Sequence, residues 1–146
     1  LLVQTIKHTN NTSAQTIDTS GRTTVSIMNN DSTNRSDGGA VTQNTVQGLA
    51  KVWCLATQSD NSIFDSFNIA SIGDDGTGQI GFNFTNNMSA QTYASNKTAQ
   101  VADAGGFNAS GNSSIETDEV TMQARDQNGN DVDSNPMAMT VHGDLA

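Results

Sequence analysis

Residues 64–85 read FDSFNIASIGDDGTGQIGFNFT, and the alternation in this stretch is the clearest indication of the fold. Apolar and polar residues alternate on both sides of a glycine-rich segment, and a period of two is typical of β-strands with one buried face. The glycines supply the positive φ angles that a tight turn needs. The stretch therefore predicts a strand, a turn and a returning strand whose inward side chains are Ile80, Phe82 and Phe84.

The same alternation recurs in three other places along the chain. The inward side chains predicted there are Val52 and Cys54, then Val120, Met122 and Ala124, and finally Met137, Met139 and Val141. The Asn-Gly step at residues 128–129 predicts a tight turn between the last two strands. No stretch shows the 3.6-residue period of an amphipathic helix over three turns. The sequence therefore predicts an all-β fold, an antiparallel β-sandwich-like domain.

The alternating pattern also divides the chain into two parts. Residues 1–44 carry short β-like runs with a predicted turn at residues 19–22, followed by a polar stretch, residues 29–44, that predicts a loop or linker. This first part is predicted to be an extended β arm. Residues 45–146 hold the denser alternation and are the predicted terminal domain, in which the Ala-, Ser-, Asn- and Gly-rich residues 93–119 predict long loops.

Composition limits both the core and the choice of partner. Apolar residues make up 34% of the chain, which allows less apolar burial per residue than an ordinary domain has. We therefore expect copies of the chain to complete one another's core. The net charge of −9 repels phosphate backbones and anionic lipid surfaces, so nucleic acid and membranes are not expected as partners. No apolar run approaches the roughly 20 residues that a membrane span needs.

Several segments resemble those of bacteriophage tail-fibre-like proteins. The block D-S-F-N followed by D-x-G-T-G, within residues 64–85, is similar to the C-terminal β-rich domain of that family. Residues 8–22 resemble the family segment HTN-x-T-x-A-x-x-I-D-x-S-G-R, which precedes the terminal domain there as it does here. Residues 139–145 are similar to the closing strand followed by x-G-D. The usual A-W-V-N-F strand is replaced by AKVWCL at residues 50–55.

The resemblance implies a homotrimeric virion appendage with a β-rich terminal domain whose loops touch the host surface. It implies a location on the virion, at the surface of the tail or the capsid. The partners that it implies are other copies of the chain, other tail or capsid proteins, and a host surface glycan or protein. The family is defined by architecture rather than by catalytic residues, so the resemblance assigns no site residue.

Two acidic segments have spacings that invite comparison with metal sites. Residues 126–131 echo the oxygen spacing of a calcium loop, but Asp131 stands where the loop needs glycine and Met137 where it needs the closing glutamate. A solvated hairpin turn is therefore the favoured interpretation. Residues 74–78, DDGTG, are likewise predicted to be a turn rather than a metal site.

Paired carboxylates are the other candidates for chemistry, since two of them can cleave a glycosidic bond. Asp74 and Asp75 are neighbours in the chain, and so are Asp118 and Glu119. Neighbouring residues on a strand point to opposite faces, so neither pair makes a two-carboxylate site by itself. No catalytic, cofactor-binding or metal-ligating residue is predicted, and no cofactor.

Three single side chains remain as candidates. Cys54 lies in an apolar run and is predicted to be a buried free thiol, because a catalytic thiol needs a nearby histidine and both His8 and His142 lie near the ends of the chain. Trp53 is expected to pack in the core or at a subunit interface. Tyr93 stands among polar residues and is the candidate receptor contact.

The leading hypothesis is a non-enzymatic structural protein of a tailed phage, a tail-fibre or fibre-tip component for host attachment. An alternative is a capsid decoration or head-fibre protein. A glycan-cleaving spike is the least favoured alternative, because such enzymes hold polysaccharide in long grooves and the chain has only 146 residues.

Overall fold

Every regular element is a β-strand in the residues that the computed structural model describes, which are 5–7, 13–25, 28, 32–35, 42–100 and 109–146. All of the strand pairs are antiparallel. The prediction of an all-β, antiparallel fold is therefore confirmed. These residues include no helix long and apolar enough to cross a membrane. The chain separates into two compact units, Leu1–Gly48 and Leu49–Ala146.

The described residues of the first unit form two small sheets. One has the order β1 (Thr5–Lys7), β2 (Ser13–Ile17), β3 (Thr23–Val25), and the other pairs β4 (Thr33–Arg35) with β5 (Thr42–Asn44). The predicted turn at residues 19–22 is confirmed, with a φ of 78° at Gly21. Asp18 Oδ1 accepts hydrogen bonds from the backbone N–H groups of Ser20 and Arg22 at 2.8 and 2.9 Å. The bonds from Arg22 hold the pKa of Asp18 below its usual value.

The polar stretch predicted to be a loop or linker, residues 29–44, contains β4 and β5, so that prediction was wrong in part. The two strands pair over three residues each, with Thr33 opposite Asn44. A paired ribbon satisfies its backbone groups without an apolar face, so a search for alternating apolar residues could not detect it. Residues 29–31 and 36–41 lie outside the described residues.

The second unit is a sandwich of two four-stranded sheets. The β6 sheet has the order β10 (Ala94–Ala99), β13 (Met137–His142), β6 (Val52–Thr57), β7 (Ser62–Phe67). The β9 sheet has the order β11 (Ala109–Ile115), β12 (Glu119–Arg125), β9 (Gln79–Phe84), β8 (Ile69–Gly76). One buried apolar cluster draws on both sheets, so the core lies between them.

Most of the core consists of side chains that alternation predicted, and Ala56, Met88 and Tyr93 are core residues that it did not predict. Buried apolar residues at every second position are Val52, Cys54 and Ala56 on β6, Ile80, Phe82 and Phe84 on β9, Val120, Met122 and Ala124 on β12, and Met137, Met139 and Val141 on β13. The two central strands of each sheet therefore supply most of the core. Burying these side chains is the main favourable term for this unit.

Asn68 marks the corner at which the chain passes from the β6 sheet to the β9 sheet. Its φ of 60° is a left-handed conformation that asparagine tolerates better than most residues. Its side-chain Nδ2 donates to the backbone carbonyls of Lys51 and Asn86 at 3.2 and 3.0 Å, and its Oδ1 accepts from Asn86 N–H at 2.7 Å. The asparagine of the D-S-F-N block therefore ties three chain segments together.

Two predictions about connections were wrong in part. The turn at residues 126–130 forms as predicted, with a φ of 84° at Gly129, but the strands on either side, β12 and β13, belong to different sheets. Residues 93–119, predicted as long loops, contain β10 and β11 at the outer edges of the sheets. No residue of β10 is fully buried, and none of the β11 residues whose burial is described is, so these strands lack the buried apolar face that produces alternation. Residues 101–108 lie outside the described residues.

Candidate functional site

Two carboxylates from separate strands meet on the outer face of the β9 sheet. Thr121 on β12 lies opposite Gly81 on β9, and Gly81 lies opposite Gly73 on β8. Thr121 Oγ1 donates to Glu119 Oε1 at 2.8 Å and lies 3.5 Å from Asp75 Oδ2. Asp75 belongs to one of the two carboxylate pairs noted in the sequence and Glu119 to the other. The fold therefore brings together one member of each pair.

Gly81 makes room for this cluster. A Cβ atom at that position would lie 2.9 Å from Asp75 Oδ2 and 3.1 Å from Glu119 Oε1, closer than ordinary contact allows. Sequence reasoning missed the cluster because it depends on strand register across 46 residues between Asp75 and Thr121. The one signal was a glycine at an outward position of an alternating strand, which indicates a close approach by another group.

The two acidic turns are held by their own hydrogen bonds. Asp126 Oδ1 accepts from the N–H groups of Asn128 and Asn130 at 2.8 and 2.9 Å, and the bonds from Asn130 lower the pKa of Asp126. Asp74 Oδ1 accepts from Gly76 N–H at 3.0 Å. Residues 126–130 form a turn, as predicted. The prediction for residues 74–78 was wrong in part, because residues 74–76 are the end of strand β8 and only Thr77 and Gly78 form the turn. Within the described ranges, no three or more His, Cys, Asp or Glu side chains are grouped to hold a metal ion.

Cys54 is a buried free cysteine, as predicted. Burial, with a smaller contribution from the charge of Asp65, raises the pKa of its thiol to about 11. A thiol that stays protonated is a poor nucleophile. His142, on β13, is half-buried, and its strand neighbour Val141 faces the core that Cys54 occupies. His142 therefore points to the other face of the sheet from Cys54.

Tyr93 lies in the core, with 9% of its surface exposed. Its ring packs edge-on against Phe84 with centroids 6.2 Å apart. Its hydroxyl donates to the backbone carbonyl of Glu116 at 2.8 Å, and the backbone carbonyl of Glu119 lies 3.2 Å from the same hydroxyl. Burial and the nearby carboxylates raise its pKa to about 12. The structure gives Tyr93 a packing role, and receptor contact through it stays a prediction.

An apolar surface lies at the β6–β7 edge of the sandwich. Among the described residues of the second unit, six large apolar side chains are exposed, and four of them are on these two strands. We call these four the apolar corner: Leu55, Ile63, Phe64 and Phe67, exposed by 38, 37, 58 and 53%. Trp53, opposite Phe67 in the register, is half-buried and lies outside the core cluster. Sequence reasoning had not singled out this surface.

A shallow depression lies where β10 meets β13. It has a volume of about 370 Å³ and is lined by Asn96, Lys97, Thr98, Ala138, Met139 and Thr140. Lys97 lies opposite Met139 in the strand register. Burial of its ammonium group lowers the pKa of Lys97 to about 8. Its charged form is therefore disfavoured in the folded chain.

Replacing Lys97 with methionine is expected to stabilise the chain at neutral pH. The unfolded chain holds its Lys97 proton up to the ordinary value near 10.5, whereas the folded chain releases it near pH 8. The cost of the buried charge is complete below pH 8 and disappears as the pH rises to about 10.5. Solvent screening of this partly exposed group leaves a cost of about 1–2 kcal/mol.

Urea unfolding of the wild type and Lys97→Met at pH 7 and pH 10 measures this difference. The advantage of the variant should shrink between the two values. Comparing the two proteins at each pH cancels the opposite trend from Cys54 and Tyr93, whose raised pKa values remove stability in alkaline solution. An advantage that stays the same at both pH values would assign the effect to packing instead of charge.

Comparisons with known proteins returned no match. No protein-family model, no curated protein and no solved structure matches the chain. The apolar corner and the carboxylate cluster at Gly81 are therefore the features on which a functional proposal can rest.

Proposed function

We propose that this chain is a non-enzymatic structural protein of a tailed bacteriophage, a tail-fibre or fibre-tip component that acts in host attachment as a homotrimer. The observation that carries the proposal is the apolar corner. Four large apolar side chains are exposed at one edge of the β6 sheet of a chain of net charge −9. The register places Leu55 and Phe67 on the outer face and Ile63, opposite the core residue Ala56, on the inner face. Exposed apolar residues gathered at one edge favour a protein partner. Such a surface is expected of a protein that works in an assembly.

The phage assignment is supported by the segments that resemble tail-fibre-like proteins. Two of them have a clear physical role in this fold. The asparagine of D-S-F-N is the corner residue between the sheets, and the glycines of D-x-G-T-G have positive φ angles, 125° at Gly76 and 71° at Gly78. The segments therefore coincide with positions that build the sandwich, which is consistent with a shared architecture.

A non-enzymatic role is supported by the state of the candidate groups. Cys54 is buried with a raised pKa, and the acidic turns use their carboxylates for backbone hydrogen bonds. Asp75, in the carboxylate cluster, is exposed on a sheet face. Incubating the protein with host envelope glycans and assaying for new reducing ends tests this part. The appearance of new reducing ends would contradict a non-enzymatic role and support the glycan-cleaving alternative.

Immunogold labelling of purified virions tests the location. An antibody against the recombinant chain should label the tail fibres or their tips. Label on the head instead would favour the capsid decoration or head-fibre alternative. Absence of label from particles whose other tail proteins are labelled would overturn the proposal. A pre-immune serum at the same concentration is the control.

A further inference from the structure

We infer that the apolar corner is the surface on which another copy of this chain docks, with strand β7 at the centre of the contact. The inference rests on the proposed homotrimer and goes beyond it by naming the surface and the side chains that hold it. The corner consists of Leu55 on β6 and Ile63, Phe64 and Phe67 on β7.

The size of the corner suits the centre of a protein interface. Aromatic side chains contribute about 150–250 Å² each when fully buried, so the exposed fractions of Phe64 and Phe67 amount to about 220 Å² of apolar surface, to which Leu55 and Ile63 add. A standard interface takes about 800 Å² from each partner, with an apolar centre and a polar rim. The neighbouring polar residues Ser62, Asp65 and Ser66 supply part of such a rim.

The backbone of β7 is also open to a partner. Among the described strands, β7 pairs with β6 only and forms the outer edge of the β6 sheet. Edge strands are usually protected by proline, lysine or an inward-pointing charge. The sequence of β7, SIFDSF, contains neither proline nor lysine, and its protecting features are limited to Asp65 and a bulge at Phe64. An edge strand with two exposed phenylalanines can therefore pair with a strand of a neighbouring molecule.

The distribution of charge favours the β6 sheet as the place where another copy docks. Each copy carries a net charge of −9, so two copies repel each other over most of their surfaces. They can associate closely only where carboxylates are few. The four strands of the β6 sheet contain a single carboxylate, Asp65. A basic partner would instead be attracted to the β9 sheet, where Asp75 and Glu119 lie together on the outer face.

Light scattering on the full chain tests the inference. The wild type should have a mass that is a multiple of the 15.3 kDa chain mass. The double variant Phe64→Ser, Phe67→Ser should shift to the chain mass, with association weakened about 100-fold or more, since buried aromatic residues dominate interface energies. Leu145→Ser is the matched control, because Leu145 is also an exposed apolar residue of this unit but lies outside the corner. It should leave the mass unchanged.

Hydrogen exchange on the wild type gives a second measurement that requires no variant. The amides of residues 62–67 should exchange more slowly as the protein concentration rises, while those of the turn at residues 126–130 should not change. A wild type that has the chain mass at all concentrations would overturn the inference. An oligomeric mass for the double variant would also overturn it. The same holds for exchange rates of the β7 amides that do not change with protein concentration. Immunogold labelling of virions does not depend on these results, so it tests the proposed location on the tail separately from the proposed docking surface.

Discussion

Replacing Phe82 with alanine should lower the free energy of unfolding by about 3–5 kcal/mol. Phe82 lies at the middle of β9, opposite Val120 on one side and Ile72 on the other, and none of its surface is exposed. The substitution removes the transfer free energy of the ring and leaves a cavity that the sandwich cannot fill. Most of the stability of a small domain would be lost.

Urea unfolding monitored by the fluorescence of Trp53 measures this loss. The control is Phe67→Ala, the same chemical change at a side chain that is 53% exposed. At concentrations low enough for the chain to be monomeric, the control should change the free energy of unfolding by less than about 1 kcal/mol. Equal effects at the two positions would contradict the arrangement of the core.

Replacing Gly78 with alanine should cost about 3–5 kcal/mol, from backbone strain and steric overlap together. Gly78 has a φ of 71°, and a Cβ atom there would lie 2.7 Å from both Ala124 O and Val132 N. Those are backbone atoms that cannot rotate away. The glycine also accepts a hydrogen bond at its carbonyl from Ala124 N–H at 2.7 Å, so displacing it breaks the attachment of the turn to β12.

Gly129→Ala separates the two causes. Gly129 has a similar φ of 84°, but a Cβ atom at that position would have no neighbour within 4 Å. Only the backbone strain applies, so its cost should be about 1 kcal/mol. The midpoints of urea unfolding of both variants give the comparison. A cost at Gly78 no larger than at Gly129 would show that the turn does not pack against β12 as described.

Local sequence patterns were enough to predict the strands that form the core. Alternation in β6, β9, β12 and β13 identified the buried side chains correctly, because a central strand with one buried face must repeat its apolar residues every second position. The glycine turn within residues 74–78 was equally readable, since its backbone angles limit the residues that can occupy it. Local chemistry therefore settled fold class and most of the core.

Which strands pair with one another could not be predicted from local patterns. The polar edge strands β10 and β11 were read as loops because their partner strands, rather than their own residues, hold them in place. The Asn-Gly turn was read as linking paired strands, but the chain crosses there from one sheet to the other. The cluster of Asp75, Glu119 and Thr121 and the apolar corner depend on long-range register. Register between distant strands is set by packing in three dimensions, which no local pattern records.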